Sequence, residues 1–118
     1  MELYNYKAEV TRVVDGDTVD AFIDLGFDMH SKQRVRLYGI NAPETRTRDL
    51  IEKKHGKAAT RRLVEMLEEN KNKCIIKTSL DKKGKYGRVL GTLFIDDKNL
   101  NETLVEEGYA ETYHGEKR

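Results

Sequence analysis

An α+β domain built on a small five-stranded β-barrel is the fold class the sequence predicts, and three observations predict it. Five short runs alternate β-branched or aromatic residues with polar ones, a single long stretch carries apolar residues at helical spacing, and a second, shorter helical stretch lies near the C-terminus. The length of 118 residues suits one domain, so a single domain over 1–118, with one core and one site, is expected. Hydrophobic residues make up 37% and charged residues 36%, which leaves apolar runs for strands and one helix but only a small core.

Each element follows from its own signal. From Tyr6 to Val14 and again from Thr18 to Leu25 the alternation has period two, and Asp15-Gly16-Asp17 between them has turn chemistry, so the two runs form a hairpin. Lys32 to Ile40 repeats the pattern, with Val35, Leu37 and Gly39 on one face. Asn41-Ala42-Pro43 ends that third strand because proline has no N–H for a ladder. Thr45 to Lys54 is charge-dense and weakly patterned, which predicts a surface loop, with a short helical turn as the alternative. From Lys57 to Glu69, Ala59, Leu63, Val64, Met66 and Leu67 recur at helical spacing, with Gly56 at the approach and Asn70 at the end. Lys73 to Ser79 and Arg88 to Ile95 read as the fourth and fifth strands, joined by the glycine- and lysine-rich DKKGKYG. After a turn at Asp96–Asn99, Asn101 is placed to cap a final short helix that buries Leu104 and Val105 and stops at Gly108. A helix inserted after the third of five strands and another at the end make an OB-fold barrel the economical architecture.

Composition excludes several classes. With 22 basic and 21 acidic residues, any attraction to nucleic acid must come from the arrangement of charge rather than its total. Cys74 is the only cysteine and sits in the alternating run KCIIKTS, so a disulfide framework is impossible and a buried, apolar role is expected. His30 and His55 lack partners at zinc-like spacing and are expected to be solvated loop residues. MELYNYKAEV has neither a basic segment nor an apolar one of the signal type, and no run is long enough to span a bilayer. A soluble protein without a membrane partner is expected, its compartment being cytoplasmic, or extracellular if a leader was removed. Six tyrosines outnumber three phenylalanines and there is no tryptophan, which favours rings at the surface with wet hydroxyls, suited to stacking on bases.

Asp15, Asp17, Asp20 and Glu44 are the acidic candidates for binding a hard cation, which takes oxygen ligands. An EF-hand is excluded: counted from Asp15, Asp20 falls where that loop needs glycine and Gly26 where it needs glutamate. Taken alone, Asp-Gly-Asp is more often a hairpin turn than a metal site. Arg36 precedes the corner Asn41-Ala42-Pro43-Glu44, so a guanidinium and a carboxylate share one rim. Lys85-Tyr86-Gly87-Arg88 supplies a second arginine beside a tyrosine and lysines. Two planar guanidinium forks suit one phosphate, although either arginine alone is equally a surface residue in an unrelated ion pair.

VVDGDTV, RVRLYGINAPET, KYGR and LNETLVEEGYA occur in the order found in the staphylococcal nuclease (thermonuclease) family, and the resemblance covers nearly the whole chain. It implies a five-stranded OB-fold barrel and Ca2+-dependent hydrolysis of phosphodiester bonds in DNA and/or RNA, with a preference for single-stranded or unstacked regions and a 3′-phosphate product. A monomer is expected. By resemblance, Arg36 and Arg88 look like the phosphate-clamping arginines, and Glu44 like the general base, with orientation of water or of the metal's shell as its alternative role. Asp17 looks like the principal calcium ligand, with Asn41 at the position of a second carboxylate ligand and Ala42 at that of a carbonyl ligand. The exchange of a carboxylate for Asn41 removes a negative charge and predicts weaker calcium binding, partly offset by Asp15 and Thr18 acting through water. Lys85, Tyr86 and Tyr113 look like parts of the nucleotide pocket, His114 being the alternative to Tyr113. The rival reading is an OB-fold module that binds nucleic acid without cutting it.

Overall fold

In the computed structural model, which describes residues 5–79 and 89–113, β1 (Asn5–Asp15) and β2 (Thr18–Gly26) form the expected antiparallel hairpin across Gly16-Asp17. β3 (Met29–Leu37) pairs antiparallel with β2, β5 (Lys73–Ser79) with β1, and β6 (Val89–Ile95) with β5. The barrel closes where Val35–Leu37 of β3 run parallel to Val89–Gly91 of β6. Closure needs a residue without a side chain: a Cβ on Gly91 would stand 2.8 Å from Ile76 Cγ2 and 3.0 Å from Val35 Cγ1. The result is the α+β, five-stranded OB-type barrel expected, with short paired segments added at its rim. These are β4 (Ile40–Asn41), which pairs with β8 (Glu111–Thr112), and β7 (Lys98–Asn99), which pairs with β6.

Alternation fills the inside of the barrel. Ala8 and Val10 of β1, Val19, Ala21 and Ile23 of β2, and Val35 and Leu37 of β3 are buried, and their neighbours in sequence face out. The helices α1 (Leu50–Glu68) and α2 (Leu100–Glu106) contribute Leu63, Leu67, Leu100 and Leu104 to the same core, all fully buried. Each such leucine contributes about 1.5–3 kcal/mol relative to an exposed one. Cys74 is buried as expected, and desolvation pushes its thiol up to about 12, so it is an inert packing residue.

Four expectations are corrected. The long helix begins at Leu50, not Lys57. Asp49 caps it by accepting from Ile51 N–H and Glu52 N–H, so half of the supposed surface loop is helical and Gly56 lies inside the helix. The third strand ends at Leu37, because Gly39 takes a left-handed φ of 80° and turns the chain before β4. Asn99, not Asn101, caps the last helix, accepting from Glu102 N–H at 3.0 Å. His30 stands on β3, its ring stacked on Phe22 with centroids 4.6 Å apart, and is not in a loop; His55 lies on α1. Among the described residues no helix is long and apolar enough to cross a membrane.

Candidate active site

Hydrogen-bond demand explains how one corner of the barrel is assembled. The turn between β1 and β2 brings Asp17 under the end of β3, where Leu37 N–H donates to the Asp17 carbonyl at 2.8 Å. The Asp17 side chain is nearly buried, and a buried carboxylate needs donors. It has them: Ala42 N–H donates to Oδ2 at 2.9 Å, Thr18 Oγ1 donates to Oδ1 at 3.0 Å, and Arg36 Nη2 lies 3.6 Å from Oδ2. Asp17, Asn41 and Ala42, from elements 24 or more positions apart in sequence, are thereby drawn together around Arg36, whose Nη2 also donates to Asn41 Oδ1 at 3.1 Å.

Arg36 is fixed at both ends of its fork. Nη1 donates to the carbonyls of Ile40 at 2.9 Å, Leu37 at 3.0 Å and Asp17 at 3.4 Å. These bonds hold the chain through the Tyr38-Gly39 turn, so the arginine organises the corner as well as charging it. Its side chain is only 14% exposed, which strengthens each of these contacts relative to a solvated arginine.

Glu44 is presented from the segment that follows. Its backbone N–H donates to Glu52 Oε2 at 3.2 Å, and the helix passes so close that a Cβ on Gly56 would stand 2.6 Å from the Glu44 carbonyl oxygen. Thr45 Oγ1 donates to Asp15 Oδ1 at 2.7 Å and ties the same segment to the end of β1. The Glu44 side chain is exposed, free to meet solvent or a ligand. Gly16 completes the arrangement, since a Cβ there would stand 2.7 Å from that of Ala59 and 3.0 Å from that of Ala42.

The side-chain ligand atoms placed at this corner are oxygens, those of the Asp17 carboxylate and the Asn41 amide. Such a set fits a hard cation and does not fit a thiophilic one. Among the described residues no three Asp, Glu, His or Cys side chains gather as metal ligands, so any cation here relies on one carboxylate, neutral oxygens and water. A cleft of about 300 Å³ adjoins Asn41, Ala42 and Pro43 and is bounded across by Tyr109 and Glu111. Tyr113 follows β8 away from this cleft and does not line it; its N–H donates to the Gly39 carbonyl at 2.7 Å, and the residue is half-buried. Lys85, Tyr86 and Arg88 lie outside the described residues.

The family model described as staphylococcal nuclease homologue matches residues 34–118, a span that runs from β3 through the whole second half of the corner. The chain belongs to this family. Among its relatives, a thermonuclease of Staphylococcus intermedius is 35% identical over 101 residues, covering 86% of this chain and 56% of that protein. The endonuclease YncB of Bacillus subtilis is 30% identical over 99 residues, covering 84% of this chain and 44% of that one. A micrococcal nuclease of Shigella flexneri is 27% identical over 118 residues, covering 92% and 59%. The chain thus spans about half the length of these relatives. For this nuclease-family member, Gly16, Thr45, Glu52 and Gly56 are supporting residues; the sequence reading placed Gly16 in a turn and Gly56 at a helix boundary and gave Thr45 and Glu52 no role, although a glutamate three residues after Asp49 is a helix-start signal.

Proposed function

We propose that this chain hydrolyses phosphodiester bonds of DNA and/or RNA, with Ca2+ as its cofactor, as a monomer and with a preference for single-stranded or unstacked regions. The observation that carries the reading is the convergence of Asp17, Arg36, Asn41 and Ala42 beside an exposed Glu44 in a member of the staphylococcal nuclease family. Asp17, Asn41 and the Ala42 carbonyl would hold the cation, which when bound supplies positive charge to the phosphate and its attacking water.

The remaining chemistry belongs to the chain. Water attacks phosphorus in line with the departing oxygen, and Glu44 accepts its proton or, failing that, orients it. Arg36 and Arg88 stabilise the negative charge that accumulates on the phosphoryl oxygens. Because Arg36 already gives Nη1 to three carbonyls and Nη2 to Asn41 Oδ1, Nε is the group it has for phosphate. Lys85, Tyr86 and Tyr113 contact the nucleotide.

Cleavage of fluorescent single-stranded DNA, with calcium or chelator, tests the reading on the natural chain, Arg88→Ala and Asn41→Asp. Expected are cutting only with calcium, a loss of about a hundredfold or more in Arg88→Ala, and tighter calcium binding in Asn41→Asp. DNA that is bound but never cut at any calcium level would instead make the barrel a binding module.

A further inference from the structure

Outside the corner, the outward face of β3 carries a row of basic side chains that starts at the site itself. Residues two apart share a face, so Arg36, Arg34, Lys32 and His30 line up over about 20 Å. Val35 and Leu37 point inward and are buried, whereas His30, Lys32 and Arg34 are exposed. From Met29 to Arg34 the strand pairs only with β2, so this half of the row is a free edge among the described residues. Arg34 gives Nε and Nη2 to Asp20, and Lys32 makes no ion pair among the described residues.

The row ends at a stacking platform. Phe22 and His30 lie face to face with centroids 4.6 Å apart and planes within 7°, and Phe22 stays 37% exposed on the wall of a groove of about 600 Å³. An aromatic pair left in solvent, on the outside of a barrel whose core is filled by other residues, is not there for packing. Asp20 and Asp24 stand on β2 directly opposite Arg34 and His30, whereas Lys32 stands opposite Phe22, so Lys32 is the basic residue of the row that faces a ring and not a carboxylate.

We infer that the outer face of β3 is a distal binding track for a single nucleic-acid strand, in which Lys32 and Arg34 meet phosphates leaving Arg36 and a base stacks on Phe22–His30. The occupant follows from continuity with the corner, from Lys32, which makes no ion pair among the described residues, and from the exposed rings. Bases stack on aromatic side chains whatever their sequence, so the track selects for strand length and for unpaired bases. It extends the proposed nuclease reading to a second contact on the same substrate.

Binding is measured at low salt with chelator present, so that nothing is cut, on a long oligothymidylate able to reach from Arg36 to His30 and a short one that is not. Phe22→Ala is expected to bind the long strand about tenfold more weakly and the short strand unchanged. Lys32→Ala should lower the slope of log affinity against log salt by about 0.7, and Lys57→Ala on α1 should leave it unchanged. The chain has no tryptophan, so Phe22→Trp adds one emitter, which the long strand should quench and the short one should not. Equal binding of the long strand by wild type, Phe22→Ala and Lys32→Ala, or an unquenched emitter, overturns the track. If that pattern appears but calcium elicits no cleavage, the track stands and the nuclease reading falls.

Discussion

The two ends of β2 are both two-residue turns, and they are built in opposite ways. At the first, Gly16 and Asp17 are buried, with Gly16 pressed against Ala59 and Ala42 and Asp17 bonded by Ala42, Thr18 and Arg36. At the second, Phe27 and Asp28 both take left-handed φ values of 55° and 61°, and Phe27 is 98% exposed between exposed Leu25 and Met29. A turn with both central residues left-handed normally uses asparagine and glycine, and a bulky residue there is strained. Among the described residues nothing packs on Phe27 or explains it. The first turn is held by the rest of the barrel, while the second is held only by its own strands.

Breaking the clamp at the first turn should have the largest effect. Asp17→Ala leaves Arg36 half-enclosed without its carboxylate and the Ala42 N–H without an acceptor, a loss of about 3 kcal/mol in urea unfolding. Cleavage should disappear with it. A variant as stable as the natural chain would mean that the Arg36 bonds to carbonyls hold the corner unaided.

Gly16→Ala tests the same turn by filling it. The added methyl must displace Ala59 on α1 or Ala42 beside the site, and overpacking of this kind costs about 2 kcal/mol. The opposite sign is expected at the other end. Phe27→Asn combined with Asp28→Gly relieves two left-handed residues and should raise stability by about 1 kcal/mol, with cleavage unchanged. A destabilised double variant would show that Phe27 makes a contact worth more than its strain.

The same contrast explains what could be read in the sequence. Strands with one buried face announce themselves, and Lys73–Ser79 was legible to the residue because the buried Cys74 and Ile76 lie two apart in a β-branched run flanked by Lys73 and Lys77. The start of α1 was not, because Leu50 and Ile51 are 78% and 71% exposed and so blur the helical stripe. The choice between Asn99 and Asn101 was closed to local reasoning as well. Asn101 is buried, accepting from Leu93 N–H and donating to the carbonyls of Tyr38 and Gly91, a role set by residues far along the chain. Asp17 and Arg36 were candidates by residue type and position, but their roles, and Asn41 and Ala42 as ligands, were named through family resemblance; spacing alone left Asp-Gly-Asp an ordinary turn. Gly56 was read as a boundary because a glycine within a helix is unfavourable, and only the backbone of Glu44 beside it supplies the reason.

Between the two ends of β2 stands Asp20, and it offers the smallest and most easily isolated effect. Its hydrogen bond from Arg34, opposed by desolvation and aided by the charges of Arg34 and Arg12, lowers its pKa below the ordinary value of 3.8. A carboxylate with a depressed folded pKa stabilises the fold above its unfolded pKa, and that contribution is lost as pH falls through the folded one. The natural chain should therefore be slightly more stable than Asp20→Asn above pH 3.8 and lose that margin below it. Both partners are well exposed, so the margin should also shrink toward zero at about 1 M salt. A margin that survives salt would place Asp20 with Asp17, as a residue the barrel encloses, and would extend the clamped character of the first turn halfway along the strand.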